Sequence, residues 1–131
     1  MSDVRSLLVL DAMCLNHFAR VDRLDVLREL LVGDQCCTTY VVLDELRRGV
    51  PTHPALHTAL DLEWVSPIQL DSVSDLECFA SWVARIGAGD RDLGEASVFA
   101  VADLRHGIAI IDDQSATCVA RACGLEVHGT V

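Results

Sequence analysis

The stretch RDLGEASVFAVADLRHGIAIIDD, residues 91–113, decides the fold. Asp92 and Gly94 are expected to precede a helix whose first turn carries Glu95, where the positive end of the helix dipole favours a carboxylate. Ala96, Phe99, Ala100 and Leu104, with Val98 and Val101 beside them, make that helix largely apolar. Gly107 falls where a helix stop usually needs a left-handed residue. Ile108-Ala109-Ile110-Ile111 is a short β-branched run, as expected of a strand buried on both faces, and it ends in Asp112-Asp113. In open α/β sheets the ligand site lies at the carboxyl ends of the strands. This segment alone thus brings acids from a helix start and a strand end toward such a place.

Working outward, the same alternation recurs. Ser6 to Leu10 is an apolar strand ending at Asp11, followed by a helix over Ala12 to Arg20. Asp22 suits the N-cap of a second helix with Leu24, Leu27, Leu30 and Leu31 on its apolar face. After the turn at Gly33-Asp34, Cys36 to Thr39 reads as a strand and Tyr40 to Arg48 as a helix closed by Gly49 and Pro51, with Glu45 next to the face of Val42 and Leu46. A turn and short helix over Pro51 to Leu60 lead to a strand at Glu63 to Val65, which Pro67 ends or places at an edge. Ser74-Asp75-Leu76-Glu77 has the form of a capping box. It opens a helix carrying Phe79, Trp82, Val83 and Ile86 that stops near Gly87-Ala88-Gly89. Beyond the central stretch come a helix from Gln114 to Cys123, a stop at Gly124 and a strand from Leu125 to His128. Strands alternating with helices argue a single α/β domain over residues 1–131, a parallel sheet with helices on both faces.

The chain has 131 residues, 51% hydrophobic and only 5% aromatic, so its core is built from Leu, Val, Ala and Ile. No apolar run reaches the roughly 18 residues that a membrane helix needs. Met1 to Arg5 lacks the charged-then-apolar layout of a signal peptide, and a cytoplasmic protein is expected. The formal charge is −10, and all ten basic residues are Arg. A mechanism that uses a lysine amine is excluded. Six cysteines without a C-x-x-C pair read as small buried hydrophobes. His53 and His57 have i,i+4 spacing but lack the second ligand pair that zinc requires.

Carboxylates collect at four places: Asp11, Glu45, Asp92 with Glu95, and Asp112 with Asp113. Any one of them alone is an ordinary cap, turn or surface acid. Gathered together, they repel, and burial favours their protonation unless a divalent cation neutralises them. All-oxygen ligands suit Mg²⁺ or Mn²⁺, and such ions act on phosphates. Asp44, Asp71 and Asp103 are read as surface residues.

Four motifs carry a resemblance. LVLDAMCLN (8–16), VVLDELRR (41–48), DLGEASVFAVA (92–102) and IIDDQSATCVARACGLEVHGT (110–130) occur in the order and spacing of the PIN-domain family, which includes the VapC-type toxins of bacterial toxin–antitoxin pairs. The chain resembles that family across nearly its whole length. The resemblance implies a PIN-like three-layer α/β/α fold with a central parallel sheet. It also implies a Mg²⁺- or Mn²⁺-dependent endoribonuclease that directs water at an RNA phosphodiester. Asp11, Glu45, Glu95 and one of Asp112 or Asp113 would form the acidic centre, with Asp92 a further ligand or a partner that supports the ligands from behind. Asn16, Arg47 and Arg91 would meet the substrate, with Arg48 and Arg121 nearby. An antitoxin protein and a homodimer are the implied partners, the latter through the Leu24–Leu31 or the Trp82 helix. Two other readings compete: a catalytically inert PIN-fold interaction module, and a receiver-like phosphoacceptor domain, which would need a Lys that this chain lacks.

Overall fold

A computed structural model describes residues 6–31 and 33–129; the opening residues 1–5 and Thr130 of the last motif fall outside them. Five strands form one sheet: β1 (Leu7–Leu10), β2 (Gln35–Thr39), β3 (Val65–Ile68), β4 (Ile108–Ile110) and β5 (Val127–His128). All pair in parallel, in the order β3-β2-β1-β4-β5. The chain moves outward from β1 through β2 to β3, then returns to β4 on the other side of β1. The carboxyl ends of β1 and β4 thus flank a topological switch point, where a crevice opens in such sheets. Asp11 follows β1, its N–H donating to the Ile110 carbonyl at 3.3 Å, and Asp112-Asp113 lie just beyond β4. A receiver domain has the order 2-1-3-4-5, so this sheet removes the phosphoacceptor reading.

Six helices flank the sheet: α1 (Ala12–Arg20), α2 (Leu24–Leu30), α3 (Tyr40–Gly49), α4 (Val73–Ile86), α5 (Asp90–Arg105) and α6 (Gln114–Ala122), with a 3-10 helix at Pro54–Ala59. The organising element is α5. Every residue from Gly94 to Ala102 is buried, because the helix packs on β1, β2 and β4 while α3 and α4 cover its other sides. A helix apolar all round belongs in such a place. Among the described residues, no helix is long and apolar enough to cross a membrane.

Several local expectations shift. The N-terminus of α5 is at Asp90 with Gly89 as cap, so Asp92 and Gly94 lie inside the helix and Glu95 sits in its second turn. The left-handed residue after α5 is His106 (φ 55°), and the Gly107 N–H closes back on the Ala102 carbonyl at 2.8 Å. Gly107 is required for a different reason: a Cβ there would come 2.9 Å from the Leu7 carbonyl of β1. Asp22 does not cap α2. It takes the same left-handed conformation (φ 55°) and closes α1, with the Arg23 N–H on the Phe18 carbonyl at 2.8 Å. The capping box of α4 lies two residues earlier than its sequence pattern, with Ser72 and Asp75 as the reciprocal pair. Pro67 lies within β3, at the sheet edge. Cys14, Cys36 and Cys37 are buried, but Cys118 on α6 and Cys123 just after it are exposed.

Candidate metal centre

Asp11 is 2% exposed and Glu95 3%, each buried where strand and helix ends converge. Burial pushes the Asp11 carboxyl up to about 6, and the charge of Asp112 adds to this; the N–H groups of Ala12 and Met13 and the Arg91 guanidinium oppose it. Burial pushes Glu95 up to about 8, helped by the charges of Asp11, Asp113 and Asp92 and opposed by Arg91. Asp11, Glu95, Asp92, Asp112 and Asp113 therefore act on one another as a single electrostatic group, with Arg91 as its cation. Glu95 Oε2 is buried with no hydrogen-bond partner.

Glycines make room for two of the acids. A Cβ on Gly94 would lie 2.5 Å from Glu45 Oε1, so the close approach of α3 to α5 that seats the Glu45 carboxylate against the α5 backbone depends on that glycine. The Asp92 carboxylate packs on the turn before α5: a Cβ would fall 2.7 Å from its Oδ2 at Gly87 (φ +133°) and 3.1 Å from it at Gly89. Asp113 does two things. Its Oδ1 caps α6, accepting from the Ala116 N–H at 3.1 Å, and it lines a cavity of about 90 Å³ with Asp92, Glu95, Arg85 and Ser115. Asp112 is exposed and faces a different hollow with Gln114, Thr117 and Arg121.

The frame behind these acids is a buried hydroxyl relay. Thr39 Oγ1 accepts from the Val42 N–H at 3.0 Å and stands 2.7 Å from Ser97 Oγ, which donates to the Gly94 carbonyl at 2.7 Å. Since Ser97 spends its proton on Gly94, Thr39 is the donor to Ser97. The relay locks the start of α3 to the turn of α5 between Gly94 and Ser97. Beside it, Thr38 Oγ1 donates to the Leu10 carbonyl at 2.7 Å, the residue before Asp11.

The PIN-domain family model matches residues 7–131. The chain belongs to the PIN-domain family. No curated protein matches it in sequence. Among solved structures, the domain is similar to a VapBC2 chain from Rickettsia felis, in a complex bound to a DNA fragment from its promoter, with a TM-score of 0.67 and 14% identity over 94% of this chain and 98% of that one. It is also similar to a chain of VapBC-1 from nontypeable Haemophilus influenzae, with a TM-score of 0.63 and 15% identity over 95% of this chain and 98% of that one. The expected PIN-like three-layer α/β/α fold is the fold observed.

PIN nucleases generally use divalent metals, and the donor set in this PIN domain fits one. It is all carboxylate, it contains a buried oxygen without a partner, and burial together with neighbouring carboxylates makes two of its members resist ionisation. Among the described residues, however, no three His, Cys, Asp or Glu side chains stand close enough to share one ion as they are placed. The acids converge on one region without forming a ready-made ligand cluster.

The substrate-side residues fare differently. Arg91 belongs to the acidic group. Asn16 lines a separate hollow with Met13, His17, Arg20 and Val21 on α1. Arg47 lies about 200° around α3 from Glu45 and pairs with Asp44 at 3.8 Å, as Arg48 does at 3.4 Å. Arg121 Nη2 donates to the Val127 carbonyl at 2.8 Å, tying α6 to β5. Asp103 is an exposed residue with a structural role: its Oδ2 accepts from Trp82 Nε1 at 3.1 Å. Sequence reasoning missed Arg85, Thr38, Thr39 and Ser97. Thr39 carried a visible signal, a Thr directly before a helix; the others are positioned by tertiary packing.

Proposed function

We propose that this PIN domain is a Mg²⁺- or Mn²⁺-dependent endoribonuclease, the toxin of a type II toxin–antitoxin pair acting in the cytoplasm. The observation that carries the reading is the buried, unpartnered Glu95 oxygen beside Asp11 at the β1/β4 switch point. A carboxylate there is at a loss without a cation, and its burial is difficult to account for structurally. Asp11, Glu45, Glu95 and Asp113 would hold the metal, with Asp92 and Asp112 supporting. Of the two acids after β4, Asp113 is preferred because it shares a cavity with Glu95. The chemistry such an ion would supply there is a water of lowered pKa and stabilisation of charge on the phosphoryl oxygens. The protein's own part is to fix the carboxylates through the Thr39–Ser97 relay and to offer Arg91 to the phosphate. Asn16 and Arg47 would contact RNA further along, outside the acidic group. The two VapBC neighbours support an antitoxin as partner.

Calorimetric titration with Mn²⁺, run beside an RNA cleavage assay on wild type and Asp11→Asn, tests this. Saturable binding and cleavage in the wild type, both lost in the variant, are expected. Cleavage at the wild-type rate by Asp11→Asn would overturn the assignment of the centre. One observation favours the alternative, an inert PIN-fold interaction module: among the described residues, no three acids stand within reach of one ion. Absence of Mn²⁺ binding at millimolar concentration would establish that alternative.

A further inference from the structure

We propose that Arg85 is a phosphate-binding residue of this site. Arg85 lines the small cavity that holds Asp92, Glu95 and Asp113, and its guanidinium takes an oxygen of the RNA backbone. The inference rests on the nuclease reading and adds a residue to it. Arg85 lies in the last turn of α4, well away in sequence from the acidic motifs, and packing brings it to them. It is held from behind. Its Cζ stands 4.6 Å from the centroid of the Trp82 ring, which is 1% exposed, packs on Phe99 with centroids 5.2 Å apart, and is fixed through Nε1 to Asp103. Stacking occupies the face of a guanidinium and leaves its in-plane N–H donors pointing outward. Among the described residues, Arg85 makes no ion pair. An arginine that lines one cavity with three carboxylates and pairs with none of them can receive an anion that arrives with the substrate. The cavity, about 90 Å³, is open to solvent on one side, so an anion can enter it. The forked donors of Arg suit a phosphate oxygen pair.

The test compares wild type, Arg85→Ala and Arg85→Lys on a short fluorescein-labelled single-stranded RNA. Cleavage kinetics are read at saturating Mn²⁺. Binding is read by anisotropy against KCl concentration in metal-free buffer, where no cutting is expected. Arg85→Ala should raise KM about tenfold with kcat changed far less, and should reduce the salt slope of binding by about 0.7, the loss of one phosphate contact. Arg85→Lys, which keeps the charge without the fork, should restore the slope but not the KM. Mn²⁺ affinity and Tm should stay at wild-type values. If Arg85→Ala changes neither KM nor salt slope, or lowers Tm alone, Arg85 merely covers Trp82 and the proposal is overturned. Wild type that neither binds nor cuts RNA overturns the nuclease reading, and this proposal with it.

Discussion

Glu95 and Gly94 show how neighbouring residues separate stability from activity. Glu95 is expected to weaken the metal-free fold. Its carboxyl is raised from an ordinary 4.5 to about 8, so the folded state binds more protons than the unfolded state across that interval. Stability is then fully present below about 4.5 and is lost as the pH rises through 8. Asp11 adds a smaller loss between 3.8 and about 6. Glu95→Gln removes the larger titration. At pH 8 the metal-free variant should gain on the order of 1 kcal/mol, a few degrees in Tm, while losing cleavage. Thermal melts across pH check this, and a variant that melts in parallel with wild type would refute it. Gly94→Ala is expected to do the reverse in part. Alanine favours a helix interior by up to about 1 kcal/mol, but the new methyl displaces Glu45 Oε1 from its place 2.5 Å away. The fold should hold while Mn²⁺ affinity and cleavage fall on the order of tenfold. Calorimetry and kinetics on the same sample decide it.

Among elements, the junction of α3 with α5 sets the site, and the Thr39–Ser97 relay is its fastening. Thr39→Val removes the N-cap of α3 and the donor to Ser97; Ser97→Ala removes the acceptor and the bond to Gly94. Each is expected to cost about 1–3 kcal/mol in urea unfolding. The double variant should cost clearly less than the two together, because each single change already orphans the other's partner. Strict additivity would mean that the relay does not act as a unit. This junction marks where sequence reading ends. Order and type of the elements were legible, since β-branched runs and apolar helical faces repeat with clean periods. The acids at β1 and β4 were legible because strand ends are where an α/β sheet opens. Caps were harder. Ser72 and Ser74 both precede acids at capping distance, and only packing selects the first. Gly94 looked like a helix boundary, yet it lies inside α5 because α3 crosses there. Arg85 was invisible, since nothing in its local sequence connects α4 with the acids.

For the whole molecule, a homodimer formed through α2 or α4 would use particular surfaces. Trp82 is buried and cannot form one. On α4 the exposed apolar residues are Val73 at 74% and Leu76 at 51%, one turn apart, and on α2 it is Leu30 at 61%. If α4 supplies the contact, Leu76→Glu should shift sedimentation from dimer to monomer while Leu30→Glu leaves it unchanged; the opposite pattern assigns α2. Either result follows from how the sheet ends. On one side the last strand is β3, interrupted by Pro67; on the other it is β5, only Val127–His128. A proline has no N–H to offer, and two residues are too short a template. Among the described residues, the sheet therefore presents no long main-chain ladder on which another polypeptide could continue. Its associations must be written in side chains, which can diverge from one copy of the gene to the next without disturbing the sheet. A protein of this build can acquire a private partner, or lose one, by surface change alone.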